Sequence, residues 1–231
     1  MSKILLDEDG EALIRETQFD IAVPIHAEEL CGETKIFAYP SVAPLCEAWQ
    51  NRYADDLFSP DAVAFLKDGC ADFCAAFGYR ADRHSAVVGY NFLSGDAVNT
   101  GFTPCERIRR EGKYENKTTF DLAACLAAER VMFAVVRDGA IVSLAVTCEA
   151  PSARADAGGM MEISVETAPA YRGNGYATAS VAALAGWLAA RGFTTLYKCR
   201  AENEKSARVA ARAGLTQSGR FMYFVFRKDR S

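Results

Sequence analysis

The sequence predicts an α/β (α+β) fold: a mixed sheet with flanking helices, preceded by a helix-rich N-terminal part. Three observations carry this. Half of the 231 residues are hydrophobic and 24% are charged, enough apolar material for a core and too much for a disordered chain. The N-terminal segments place apolar residues at three- and four-residue spacing. From about residue 130 onward, short runs rich in Val, Ile and Phe are interleaved with an alanine-rich segment, the pattern of strands alternating with helices. No repeat or low-complexity segment is visible, which excludes solenoids and arrays. Two parts are expected, residues 1–115 and 116–231.

The elements follow in chain order. SVAPLCEAWQNRYADDLF and SPDAVAFLKDGCADFCAAFGY read as helices, the second with Ser59 as N-cap and Pro60 at the first helical position. Residues 89–117 break into Gly, Asn, Thr, Pro and charged residues and read as a long excursion or boundary. Arg130 to Val136 and Ala140 to Thr147 form a hairpin, because Gly139 in Arg137-Asp138-Gly139 takes the positive φ of a tight turn. Met161 to Thr167 alternates: Met161, Ile163, Val165 and Thr167 point one way, Glu162, Ser164 and Glu166 the other. A helix from Gly175 to Ala190 ends at Gly192; then come a strand (Thr194 to Cys199), a short helix (Asn203 to Ala213) and a last strand (Phe221 to Arg227). A crossover helix implies that the third and fourth strands of this β-β-β-α-β-α-β series pair in parallel.

Several functions are excluded or disfavoured by composition. The chain carries a net charge of −4, split unevenly: residues 160–231 hold eleven Lys/Arg against five Asp/Glu, and residues 1–159 fifteen against twenty-five. The C-terminal third therefore suits an anion and the rest a cation. Nucleic acid is not expected, since Arg208 and Arg212, one helical turn apart, have no interleaved aromatic platform. The eight cysteines lie mostly in apolar runs, no CxxC occurs, and His26 and His84 stand apart, so no metal is expected. The N-terminus lacks the basic head and apolar stretch of a secretory signal, and no run is long enough to span a bilayer; no membrane association and a cytoplasmic location are the expectation.

The chemistry concentrates in Pro169-Ala170-Tyr171-Arg172-Gly173-Asn174-Gly175-Tyr176-Ala177. A loop with two glycines opening into a helix exposes unpaired backbone N–H groups at the positive end of the helix dipole, an arrangement that binds phosphate. It is neither a Walker loop nor a GxGxxG dinucleotide turn. Strand MEISVET, this loop, an alanine-rich helix, strand TTLYKCR, Asn203-Glu204-Lys205-Ser206 and Ala213-Gly214-Leu215 follow one another in an order that resembles the GNAT superfamily of acyl-CoA-dependent N-acyltransferases, over about residues 130–231. The wording VETAPAYRGNGYATA and AEN-x-x-S is similar to the branch that includes zwittermicin-resistance acetyltransferases.

The resemblance implies a centrally splayed sheet and acetyl-CoA as cosubstrate. Arg172, Gly173, Asn174, Gly175, Tyr176 and Ala177 match the pyrophosphate loop, Val165, Glu166 and Thr167 the strand end beside the pantetheine arm, and Asn203 and Ser206 the second motif near the thioester. Asn203 also reads as a plain helix N-cap and Ser206 as a first-turn hydrogen bond. Glu162 lies where family members keep a glutamate and is the expected general base; the same carboxylate also reads as a solvated sheet-face residue. Many members carry a tyrosine seven residues beyond the motif asparagine, where this chain has Ala210, so Tyr197 or Tyr223 is the candidate acid, Tyr197 being preferred. The expected function is acetyl transfer to a primary amine of a small molecule rather than a protein. Residues 1–115 would serve the acceptor site or an interaction, and edge strands would suit a homodimer. The alternative is a catalytically silent acyl-CoA-binding sensor.

Overall fold

The computed structural model describes residues 2–16, 20–95, 103–110, 112–153 and 159–228. The chain forms two compact units, residues 1–90 with 218–231, and residues 91–217. The first contains β1 (Lys3–Leu6), α1 (Glu8–Arg15), β2 (Ile21–Ala22), β3 (Ile25–Leu30), β4 (Glu33–Ala38), α2 (Ala43–Arg52) and α3 (Pro60–Ala75). The strand β5 (Arg80–Ser94) carries the chain into the second unit, which holds β6 (Glu106–Arg107), β7 (Glu115–Asn116), α4 (Leu122–Ala127), β8 (Met132–Arg137), β9 (Ala140–Thr147), β10 (Met160–Thr167), α5 (Tyr176–Ala189), β11 (Thr194–Arg200) and α6 (Glu204–Arg212). The final strand, β12 (Leu215–Arg227), leads back.

In the first unit the strands run β1-β4-β3-β12, with β2 also on β12. Its core joins Ile25, Ile36, Phe224 and Phe226 of the sheet to Trp49, Leu66, Cys46, Cys70 and Cys74 of α2 and α3. Ser59 caps α3 by accepting from the Ala62 N–H, as its sequence predicts. The expectation of a mainly helical N-terminal part is corrected here: residues 21–38 form three strands, and residues 89–94, read as part of an excursion, complete β5. Burial drives the cysteine thiols up, to about 12 for Cys46 and Cys74, so these behave as small apolar core residues.

In the second unit the order is β11-β10-β9-β8-β6. The β8–β9 hairpin closes through Asp138 and Gly139, with φ of 51° and 77°, the paired positive values of a two-residue turn. Helix α5 lies across β8 to β11, burying Val181, Leu184 and Leu188. The other face of β8 and β9 packs Met132, Ala134, Ile141, Leu144 and Val146 around Cys125 of α4. With both faces covered, every residue of β9 is buried. The mixed sheet with flanking helices is thus the predicted one, and β10 and β11 pair in parallel as the crossover requires.

Candidate active site

The site arises where β10 and β11 part. Their register runs Met160↔Thr194, Met161↔Thr195, Glu162↔Leu196 and Ile163↔Tyr197 and stops, although β10 continues to Thr167 and β11 to Arg200. On its other side β10 stays paired with β9 from Ile163 through Thr167. The last residues of β10 are therefore left without a strand partner on the β11 side. Inter-strand pairing fixes neighbours about 4.8 Å apart, so its end marks the opening of a gap.

A cleft of about 620 Å³ occupies this gap and the space beyond it. Val165, Glu166 and Thr167 form one wall, and the loop Arg172, Gly173 and Gly175 with the first turn of α5, Tyr176 and Ala177, forms the end. Tyr197, Asn203 and Ser206 line the other side. Asn174 is absent from the lining; its side-chain amide donates to the Tyr171 and Arg172 carbonyls and so braces the loop from within. Sequence reasoning did not assign Tyr171, Thr178, Lys205 and Val209 to the site, and it noted Arg208 and Arg212 one helical turn apart only in connection with nucleic acid; all six line the cleft. The spacing of Lys205, Arg208 and Arg212 at i, i+3 and i+7 on α6 is the signal that could have added Lys205.

Backbone geometry explains the loop. Gly173 and Gly175 sit at φ of 85° and 74°, and a Cβ at either would meet no atom within 4 Å. The glycines are needed for the left-handed dihedral, and the space in front of them is open. Gly175 is the N-cap of α5 and supplies no side-chain oxygen, so the first-turn amides of α5 lack the partner that a polar cap would give. Arg172 donates from Nε to the Thr167 carbonyl at 3.1 Å, tying the loop to the end of β10.

The remaining polar groups divide between the two faces of β10. Tyr197 is 4% exposed, and its hydroxyl lies 2.6 Å from the Ser206 hydroxyl. Ser206 in turn donates its N–H to Asn203 Oδ1, the side-chain cap of α6. Burial raises the Tyr197 phenol above its ordinary value, and the Ser206 hydrogen bond offsets part of this. On the opposite face, Glu162 does not line the cleft. Its carboxylate lies 3.5 Å from Lys198 Nζ, a partner the sequence reading did not identify. Glu166 accepts from the N–H and hydroxyl of Thr119, so its carboxylate fastens the segment before α4 while its strand backbone borders the cleft. Ala210 is fully buried, and Tyr223 belongs to the first unit. Among the described residues no group of three or more His, Cys, Asp or Glu side chains is arranged to hold a metal, and no helix is long and apolar enough to cross a membrane.

A strand end parted from its neighbour, with a glycine loop leading into an uncapped helix, is the arrangement that the resemblance implies. The sequence pattern of the Acetyltransferase (GNAT) family matches residues 96–215, and the chain belongs to that family. No curated protein matches the sequence. Among solved structures, a GCN5-related N-acetyltransferase-like protein from Streptococcus suis 89/1591 is similar in fold at 17% identity and a TM-score of 0.50, covering 70% of this chain and 69% of that one. An acetyltransferase from the GNAT family from Colwellia psychrerythraea aligns at 14% identity and a TM-score of 0.45, over 67% of this chain and only 62% of its own length. Neither match singles out the zwittermicin-resistance branch.

Proposed function

We propose that the protein is an N-acyltransferase moving an acetyl group from acetyl-CoA to a primary amine of a small molecule. The observation that supports this most is the meeting, in one cleft, of amides without a side-chain cap and a strand end without a neighbour. The amides of Gly173, Gly175 and the first turn of α5 suit a pyrophosphate, whose charge the helix dipole and Arg172 complement. The free side of Val165–Thr167 suits the amides of a pantetheine arm, which would add to β10 as a short strand. A volume of about 620 Å³ is ample for these parts.

In the transfer, the amine nitrogen bonds to the thioester carbonyl carbon and the carbon–sulfur bond breaks. An ammonium has no lone pair to attack with, so its proton must first go to a base, for which Glu162 is proposed; since Glu162 lies outside the donor cleft, the amine would approach from the face of β10 that carries it. Lys198 Nζ, 3.5 Å from this carboxylate, would orient it. The leaving thiolate takes a proton from Tyr197, whose buried hydroxyl stays protonated at neutral pH and is recharged through Ser206. The test is release of free thiol from acetyl-CoA with a panel of amines. Glu162→Gln should lower turnover about 100-fold with donor affinity unchanged; unchanged turnover would remove Glu162 as the base.

The silent-sensor reading draws on Ala210, where a hydroxyl is missing, and on Glu162 being held by Lys198. Amine-dependent thiol release would exclude it. Donor binding without release from any amine would favour it.

A further inference from the structure

We propose that the first unit holds a second small-molecule site, a cavity of about 370 Å³ that takes a small organic ammonium, an amine carried on a compact aromatic body. Its lining comes wholly from residues 1–90 and shares no residue with the donor cleft, so the inference does not rest on the acetyl-CoA reading.

The cavity lies where β1 ends beside β4. Asp7 follows β1 directly, and its N–H donates to the Ala38 carbonyl at 2.8 Å, which fixes the residue against the end of β4. Its Oδ1 accepts from the Gly10 N–H at 2.7 Å and so caps α1. Its Oδ2 has no hydrogen-bond or ion-pair partner among the described residues. Gly10 is what allows this fit. A Cβ there would lie 2.5 Å from Asp7 Oδ2 and 2.6 Å from Tyr39 Cε1, two side chains that line the cavity. Glycine is a poor helix former, yet it stands in the first turn of α1, where its missing side chain lets both close in.

Rings and aliphatic side chains form the rest of the lining. Ile21 and Phe37 belong to it while remaining 49% and 40% exposed. Single apolar residues on a surface are ordinary, but two that share a cavity with a carboxylate mark a place where an apolar body can be covered. His26 pairs with Phe37 across β3 and β4, the ring centroids 6.0 Å apart, and Tyr223 meets His26 edge-on at 5.8 Å. The sheet therefore fixes the rings before any ligand arrives. The Tyr39 hydroxyl already accepts from the Val23 N–H at 3.4 Å. A carboxylate oxygen beside aromatic faces attracts a positive charge, and the aliphatic wall takes the body that carries it. The start of α1 contributes about half a positive charge, which Asp7, Glu8 and Asp9 outweigh, so an anion is disfavoured. The volume is at the small end of the range for ligand pockets, about 300–1,000 Å³, which suits a compact amine.

The test titrates the whole protein, its backbone amides followed by NMR, with phenethylammonium and with phenethyl alcohol, which has the same ring and no charge. No acyl donor is present, so the result leaves the donor reading untouched. Phenethylammonium should bind about fivefold more tightly than the alcohol at low salt, the gap narrowing as salt rises, and should shift the amides of Asp7, Ile21 and Phe37. Asp7→Asn keeps the cap, because asparagine caps as well as aspartate, and should bind the two probes alike, within about twofold. Phe37→Ala should weaken both about fivefold. Binding of neither probe by the unaltered protein, or equal affinity for both, overturns the site. A preference that survives in Asp7→Asn overturns the assignment of the charge to Asp7, and unchanged affinity in Phe37→Ala overturns the assignment to this cavity.

Discussion

Helices α5 and α6 lie in the same unit and border the same cleft, but they begin in opposite ways. Helix α6 starts at Asn203, whose Oδ1 accepts from the Ser206 N–H, and α3 and α4 start likewise at Ser59 and Asp121. Each spends a side-chain oxygen on the first turn. Helix α5 starts at Gly175 in a left-handed conformation with no such oxygen, and the space in front of it is open. A capped start is complete in itself, whereas an uncapped start leaves amide donors for something else. Helix α2 also starts without a side-chain cap, at buried Val42 and with a proline in its first turn; at α5 the uncapped start opens onto the cleft instead, and it is that combination which suits binding.

The largest effect should come from closing the open start. Gly175→Val places a β-branched side chain at a φ of 74° and in front of the α5 amides, and should reduce acetyl-CoA affinity more than 100-fold, measured by calorimetry. The dihedral strain should cost about 1–3 kcal/mol, read as a lowered thermal midpoint, while circular dichroism should show the fold retained, since a Cβ there meets no neighbour within 4 Å. Next, Tyr197→Phe should lower kcat about 100-fold while leaving donor affinity within about twofold; equal losses in both would make Tyr197 a packing residue.

A third prediction concerns a cap supplied from elsewhere in the chain. In the first unit, buried Glu11 accepts from the Ser41 N–H, the Ser41 hydroxyl and Arg15. Burial alone would raise its carboxyl, but these hydrogen bonds outweigh that and hold it below the ordinary value. Because the folded value is depressed, the stabilisation is present above the unfolded value of about 4.3 and lost as pH falls through the folded one. Glu11→Gln should cost about 1–3 kcal/mol at pH 7 and flatten the acid limb of a stability–pH curve measured by urea unfolding. The smallest effect should come from opening the capped start of α6. Asn203→Ala should cost about 1 kcal/mol, read as a lowered thermal midpoint, and should not create a second donor site.

Much of the second unit is legible in the sequence because local signals agree there. The alternation through Met160–Thr167, the Asp138-Gly139 turn and the two-glycine loop each specify one backbone, and the structure has all three. The first unit hides its strands. Cys31 and Gly32 join β3 to β4 with φ of 51° and 80°, the same turn as Asp138-Gly139, but a cysteine at the first position does not signal it. IHAEEL carries two adjacent glutamates, which depress strand propensity, and only pairing with β4 and β12 makes it a strand. At the site, eleven of the thirteen residues singled out from sequence line the cleft, because motif positions are local. Glu162's partner Lys198 needed the β10–β11 register, which no local pattern states.

The central claim is that the uncapped start of α5 and the free end of β10 together form an acyl-CoA site. Titration of the protein with acetyl-CoA, with ADP and the Gly175→Val variant as controls, tests it most directly. The account predicts micromolar binding of acetyl-CoA, at least tenfold weaker binding of ADP because it lacks the pantetheine arm, and none detectable by the variant. Equal binding of acetyl-CoA by the variant, or no binding by the unaltered protein, would contradict it.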